Sequence, residues 1–221
     1  MPPKEELKSS FYQAEHNQMK FICIGRNYAD HAKELKNDLP IEPMFFLKPD
    51  SALLQQGVAM YIPEWTTDLH YEVEVLVKIN RLGKYIEEKY AHRYYDEIGL
   101  GIDFTARDIQ DECKRKGHPW EKAKAFDGSA IVSKKFLSLE GKDIQNLSFE
   151  LEKNGQIVQS SNTANMIFSV DRIIAHVSQF MTLKIGDVIY TGTPAGVGPV
   201  HAGDVLKGRL EGQLMFSQDI K

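Results

Sequence analysis

The stretch His70-Tyr71-Glu72-Val73-Glu74-Val75-Leu76-Val77 has a period of two, the pattern of a β-strand and not of a helix. One side of that strand carries His70, Glu72, Glu74 and Leu76, and the other carries Tyr71, Val73, Val75 and Val77. Successive same-side residues stand about 6.5–7 Å apart, so two carboxylates are held side by side on one surface. A half-buried strand with its polar side in water has the same pattern. Other polar residues of the chain that could converge on Glu72 and Glu74 favour a site.

With 221 residues, 42% apolar and 26% charged, the chain has the composition of a globular protein able to bury a core without staples. It is expected to form one catalytic domain over 19–221, preceded by a weakly patterned N-terminal extension over 1–18. A net charge of -4 argues against a nucleic-acid partner, which a basic excess would announce. Lys114-Arg115-Lys116 reads as a solvated helix end favoured by the dipole. Cys23 and Cys113 lie in no C-x-x-C pair, which points to reduced thiols and no zinc. No run is long and apolar enough to span a membrane. The N-terminus shows neither a secretory h-region nor the Arg-rich, acid-poor character of a transit peptide, so a cytoplasmic location is expected.

Around the central strand, strands are expected at 20–25, 44–48 and 98–103. Asn154-Gly155 marks a hairpin. Helices are expected over 28–36, 90–97, 105–116 and 170–181, with Thr105 as an N-cap, Asp108 as its capping-box echo, Gly117 as a stop and Ser169 as a cap. Residues 117–128 read as a loop. The C-terminal part alternates strands with tight turns at Gly186-Asp187 and Gly203-Asp204. Many short strands with few helices give an α+β, β-dominated class.

Two carboxylates in a dry pocket repel, and a hard divalent cation with oxygen ligands removes that cost. Asp103, which ends a glycine-containing strand just before a helix, is the candidate third ligand. Arg107 and Gln110, three apart on that helix, share a face, and Lys124 follows in the next loop. Cations and an amide beside a metal site suit an anionic, oxygen-rich ligand. His31 and Glu34 are also three apart, so a carboxylate can orient a histidine base. Arg26 sits in an unusually polar loop after the first strand. The loop over 191–198 lacks the ending of a phosphate loop but has hydroxyls and N–H groups to present to an anion. Each feature alone has an ordinary structural explanation, as surface charge balance or an exposed helix contact.

The strings GRNYADHAKEL (25–35), FFLKP (45–49), HYEVEV (70–75), DFTARDIQDECKRKGHPWEKAKAFDGS (103–129) and TGTPAGVGPV (191–200), in this order, resemble the fumarylacetoacetate hydrolase family, in particular its acylpyruvase and oxaloacetate decarboxylase branch. The resemblance runs from about residue 20 to the C-terminus. It implies a mixed β-roll or barrel, a homodimer, and Mg2+ or Mn2+ held by Glu72, Glu74 and Asp103. It implies a catalytic set of His31 and Glu34 on a lid helix with Lys124. Arg107, Gln110 and Thr193, grouped with Arg26, are implied to contact a small 2-oxo acid substrate. Lys48 also matches a family lysine.

The reaction so implied is carbon–carbon hydrolysis of 3-acylpyruvates to pyruvate and a carboxylic acid, with oxaloacetate decarboxylation open to the same site. An isomerase or decarboxylase of unsaturated 2-oxo dicarboxylates is the competing enzymatic reading. A non-enzymatic binder of metal or 2-oxo acid is the reading outside catalysis.

Overall fold

The computed structural model describes residues 19–34 and 38–221. The expectations for 1–18 and for residues 35–36 of the first helix lie outside the described residues. The chain begins with β1 (Phe21–Gly25), helix α1 (Ala29–Glu34) and β2 (Met44–Lys48). The period-two stretch then forms β3 (Leu69–Tyr71) and β4 (Val73–Ile79). Next come α2 (Glu88–Ala91), β5 (Tyr95–Asp103), β6 (Thr105–Ala106), α3 (Arg107–Lys116), α4 (Glu121–Lys124), β7 (Ala130–Val132) and β8 (Leu137–Ser138). The chain closes with β9 (Ser148–Lys153), β10 (Gln156–Asn162), α5 (Val170–Phe180), β11 (Val188–Tyr190), β12 (Gly198–Pro199), β13 (Val205–Leu210) and β14 (Gln213–Asp219).

The strands form three sheets. A seven-stranded mixed sheet has the order β2-β1-β11-β4-β5-β7, with β8 also on β5. A four-stranded sheet runs β10-β9-β13-β14, and a three-stranded sheet runs β12-β3-β6. The β-dominated α+β class holds. Among the described residues none of the sheets closes, so of the expected roll or barrel the closed-barrel form is absent.

The single strand expected over 70–77 is two strands in two sheets. β4 pairs with β5 in the large sheet, while β3 pairs with β6 in the small one. Both ladders change sheet at the same level, at Glu72 on one side and Phe104 on the other. The joint is held by Asp103 N–H donating to Glu72 O at 2.9 Å. Nor does β4 turn a polar face to water. Val73, Val75 and Val77 enter the main core with Leu100, Ile102, Phe149, Leu151 and Leu206. Leu76 enters a second core with Phe21, Cys23, Val188 and Tyr190. Burial leaves Glu72 and Glu74 little solvent, so their charges must be answered by protein groups or a ligand.

Three local expectations fail for tertiary reasons. Residues 90–97 are not one helix: α2 ends at Ala91, a 3-10 turn spans His92–Tyr94, and β5 starts at Tyr95. Pairing of Glu97 with Lys78 and of Ile98 with Val77 supplies the hydrogen bonds that decide the matter. Thr105 does not cap α3 but lies in β6. The first turn of α3 is instead tied down by Asp108, which accepts Ile109 N–H and reaches back to Thr66 and Thr67. The loop over 117–128 contains α4, which ends at Lys124. The Asn154-Gly155 hairpin, the Gly117 stop with φ 67° and the Ser169 cap, which accepts Arg172 N–H at 3.1 Å, form as expected.

Candidate active site

The change of sheet brings three carboxylates together. Glu72 stands at the joint, Glu74 is the second residue of β4, and Asp103 is the last of β5. All three are buried, and one oxygen from each lies within 4.8 Å of the others. Their closeness depends on Gly101, the register partner of Glu74. A Cβ there would stand 2.1 Å from the Ile131 carbonyl and 2.8 Å from Leu76 Cδ1, so any side chain would force β5 away from its neighbours.

Buried cations surround the acids. Lys124 Nζ donates to Glu72 Oε2 at 2.8 Å, Asp103 Oδ2 at 2.7 Å and Thr105 Oγ1 at 2.5 Å. Arg107 Nη2 donates to Glu72 Oε1 at 2.5 Å, and its Nη1 donates to Gln110 Oε1 at 2.6 Å. Lys48 Nζ lies 2.8 Å from Asp103 Oδ1 and donates to Ser129 Oγ at 3.0 Å. Glu74 receives one backbone donor, Gly192 N–H at 2.6 Å.

The electrostatics split the acids. Burial raises the Glu72 carboxyl, but Lys124 and Arg107 outweigh it and hold Glu72 well below the usual carboxylate range. Glu74 is pushed well up by burial and by the charges of Asp103 and Glu72, against which Gly192 N–H is insufficient. Burial lowers the Lys124 ammonium, yet Asp103 and Glu72 carry it above its ordinary value. Asp103 Oδ1 has no donor aligned on it despite the nearby Lys48 ammonium. A buried oxygen-only set with an under-neutralised carboxylate and an unaligned oxygen fits a hard divalent cation. The Lys124 ammonium already bridges two of the three acids, as a cation would.

The other expected residues converge on the same pocket. Arg26, His31, Glu72, Glu74, Asp103, Arg107, Gln110, Lys124 and Thr193 all line it. His31 is 5% exposed, and its Nδ1 lies 3.2 Å from Glu34 Oε2. The Nδ1–H tautomer can donate to Glu34 and leaves Nε2 a lone pair. Burial lowers the His31 pKa, opposed by Glu72 and Glu34, which favours the neutral imidazole. Glu34 also accepts Gly196 N–H at 3.1 Å, tying α1 to the loop after β11.

In that loop Thr193 Oγ1 donates to Val73 O at 2.9 Å. Its only hydroxyl proton is therefore used within the protein, and toward a ligand the oxygen acts as an acceptor. His70, on the side of the sequence stretch that carries Glu72, is turned to Asp68 at 2.9 Å and does not line the pocket.

Several pocket residues lie outside the sequence-derived set. Met44, Phe46 and Trp120 form apolar walls, and their types resemble ordinary core residues. Lys114, expected in a solvated run, lines the pocket, whereas Arg115 and Lys116 are exposed. Gln159, 1% exposed, holds the Thr193 loop from behind. It sits where the β9–β10 ladder shifts register, and no local pattern announces it.

The chain is similar to several known proteins. Oxaloacetate tautomerase FAHD1, mitochondrial, from Bos taurus is 43% identical over 193 residues, 87% of each chain. Oxaloacetate decarboxylase, mitochondrial, from Dictyostelium discoideum is 43% identical over 194 residues, 87% of this chain and 89% of that one. Fumarylpyruvate hydrolase from Pseudomonas aeruginosa, solved in complex with Mn2+ and pyruvate, superposes with a TM-score of 0.84 at 32% identity, covering 91% of this chain and 88% of that one. The profile of the fumarylacetoacetate (FAA) hydrolase C-terminal family matches residues 20–219, and the chain belongs to that family.

Proposed function

We propose that this chain is a divalent-metal-dependent enzyme acting on 2-oxo acids, with oxaloacetate as the substrate the site supports best. One observation carries the reading: a carboxylate-oriented His31 shares a small pocket with Glu72, Glu74 and Asp103. These three acids are the residues to hold the cation, which when bound supplies Lewis acidity toward the substrate's 2-oxo and carboxylate oxygens. Arg107 and Gln110 orient the carboxylate end. His31 Nε2 removes a proton from C3, and the Lys124 ammonium stabilises the negative charge that develops on the 2-oxo oxygen. Return of that proton to the oxygen completes a keto–enol tautomerisation. Glu34 keeps the imidazole oriented, and α1 limits the entry of water.

The same charge placement serves carbon–carbon cleavage. Loss of C4 as carbon dioxide leaves its bonding pair as the enolate of pyruvate, which is then protonated at C3. The names of the bovine and Dictyostelium relatives support an oxaloacetate substrate, and the Mn2+ of the fumarylpyruvate hydrolase complex supports the metal.

The His31–Glu34 pair also favours a second reading, hydrolysis of 3-acylpyruvates. There His31 takes a proton from a water that attacks the distal carbonyl. The C3–C4 bond then breaks to give pyruvate enolate and a carboxylic acid.

The test follows chelator-stripped protein reconstituted with Mg2+ or Mn2+, offered oxaloacetate and acetylpyruvate in parallel. Metal-restored relaxation of oxaloacetate enol supports the primary reading, and pyruvate release measures cleavage beside it. Turnover of acetylpyruvate alone selects the hydrolase. Silence on both substrates overturns the proposal.

A further inference from the structure

We propose that Lys114 and Arg26 form a second anion subsite at the outer end of the pocket, which recognises the distal carboxylate of a dicarboxylic 2-oxo acid. The inference rests on the reading of the pocket as a 2-oxo acid site, and it assigns substrate selection to two residues outside the acid cluster.

The first argument is charge balance. Three buried cations, Lys48, Arg107 and Lys124, pair with Glu72 and Asp103, and Glu74 completes the acid cluster beside them. Arg26 and Lys114 add two positive charges to the pocket lining. Among the described residues Arg26 makes no ion pair. Lys114 Nζ stands 3.7 Å from Asp111 Oδ1, whose side chain is 65% exposed. That is longer than a charge-assisted hydrogen bond and is largely answered by water. Burial, and then repulsion from Arg107, lower the Lys114 pKa, as expected for a cation short of counter-charge. The surplus matches a ligand with more than one negative charge.

The second argument is placement. Arg107, Gln110 and Lys114 are spaced by three and four residues, so they share one face of α3, and all three line the pocket. Lys114 lies two turns beyond Arg107, about 10 Å along the helix axis. Side chains on a helix lean toward its N-terminus, which brings the ammonium back toward Gln110. The face therefore carries a cation at each end with an amide between them.

Arg26 approaches from the wall formed by the end of β1. Its φ of 58° is left-handed, a conformation glycine adopts more readily. The backbone is held there by Asn27, whose side chain donates to Thr191 O at 2.8 Å and accepts Phe168 N–H at 2.8 Å. The side chain fixed in this way is a guanidinium at the pocket wall, suited to carboxylate recognition.

The test compares two unreactive acids of equal chain length, 2-oxoglutarate and 2-oxopentanoate, which differ in the distal carboxylate. Each is titrated calorimetrically into the full Mn2+-loaded chain, and melting curves establish that every variant is folded. The wild type is expected to bind the diacid at least tenfold more tightly. Lys114→Gln and Arg26→Gly should each cut that preference at least fivefold, while Lys114→Arg keeps it within twofold. Raised ionic strength should erode the preference in the wild type and not in the double variant. An undiminished preference in folded Lys114→Gln overturns the subsite. Loss of monoacid and diacid binding in equal proportion overturns it too, because the residue would then act on the whole site. An intact diacid preference without oxaloacetate turnover overturns the proposed reaction and leaves the subsite standing.

Discussion

The side-chain amide of Gln159 donates to Thr193 Oγ1 at 2.9 Å, while its carbonyl accepts the N–H of Val73, the residue between Glu72 and Glu74. A second bond, from Nε2 to Pro194 O at 3.0 Å, fixes the loop after β11 against β4. Gln159→Leu keeps the size but leaves these buried groups without partners, at a cost of about 1–3 kcal/mol. Urea and thermal unfolding should both report the loss. Gln159→Glu should be no better, since it sets a carboxylate oxygen against the Pro194 carbonyl. A neutral result in either variant would mean that the loop's other bonds, among them Gly192 N–H to Glu74 and Thr193 to Val73, suffice to hold it.

Lys124 is the internal counter-ion of the acid cluster. In metal-free protein Lys124→Met removes one partner from buried pairs with Glu72 and Asp103, which costs about 3–5 kcal/mol. A divalent cation restores the missing charge, so the rise in Tm on adding Mn2+ should be larger in Lys124→Met than in the wild type. Equal rises would show that the cation and the lysine do not share those carboxylates.

His31 touches Glu34 and does not belong to the acid cluster. His31→Ala should lower kcat by about 10²–10⁴ and leave calorimetric Mn2+ affinity within a few-fold. An unchanged kcat would remove His31 as the base, and a lost metal would move it into the ligand set.

Asp108 carries a pH-dependent share of stability. Burial raises its pKa, but hydrogen bonds from Thr67 N–H, the Thr66 hydroxyl and Ile109 N–H outweigh this and lower it. A carboxyl held low in the folded state stabilises the fold above its unfolded pKa of about 3.9, and the contribution disappears as pH falls through the folded value. Asp108→Ala should therefore cost about 1–2 kcal/mol at pH 7, with the gap to wild type closing below about pH 4. A gap that stays constant or widens in acid would contradict the assignment.

What the sequence made legible follows the range of the forces involved. Glu72, Glu74 and Asp103 could be grouped because strand periodicity and a strand end are local. The alternation places Glu72 and Glu74 on one strand, whereas the structure divides that strand at Glu72 because pairing with β6 takes its N-terminal part into another sheet. Residues 90–97 have a helical pattern, but β5 starts at Tyr95 because β4 offers a partner. Lys114 was hidden inside a basic run: its neighbours are exposed, and only the orientation of α3 turns one of the three inward. Gln159 lies far along the chain on an unremarkable hairpin, where its role depends on a contact 86 residues back at Val73.

The most direct measurement is the relaxation of oxaloacetate enol by chelator-stripped wild type and Glu74→Gln, each with and without added Mn2+. Burial and its neighbours push the Glu74 pKa up, so Glu74→Gln is expected to spare the fold while removing a proposed ligand. The account predicts that Mn2+ restores a fast relaxation to the wild type and little to the variant. Equal rates in stripped and reconstituted wild type, or full Mn2+-dependent activity in Glu74→Gln, would contradict it.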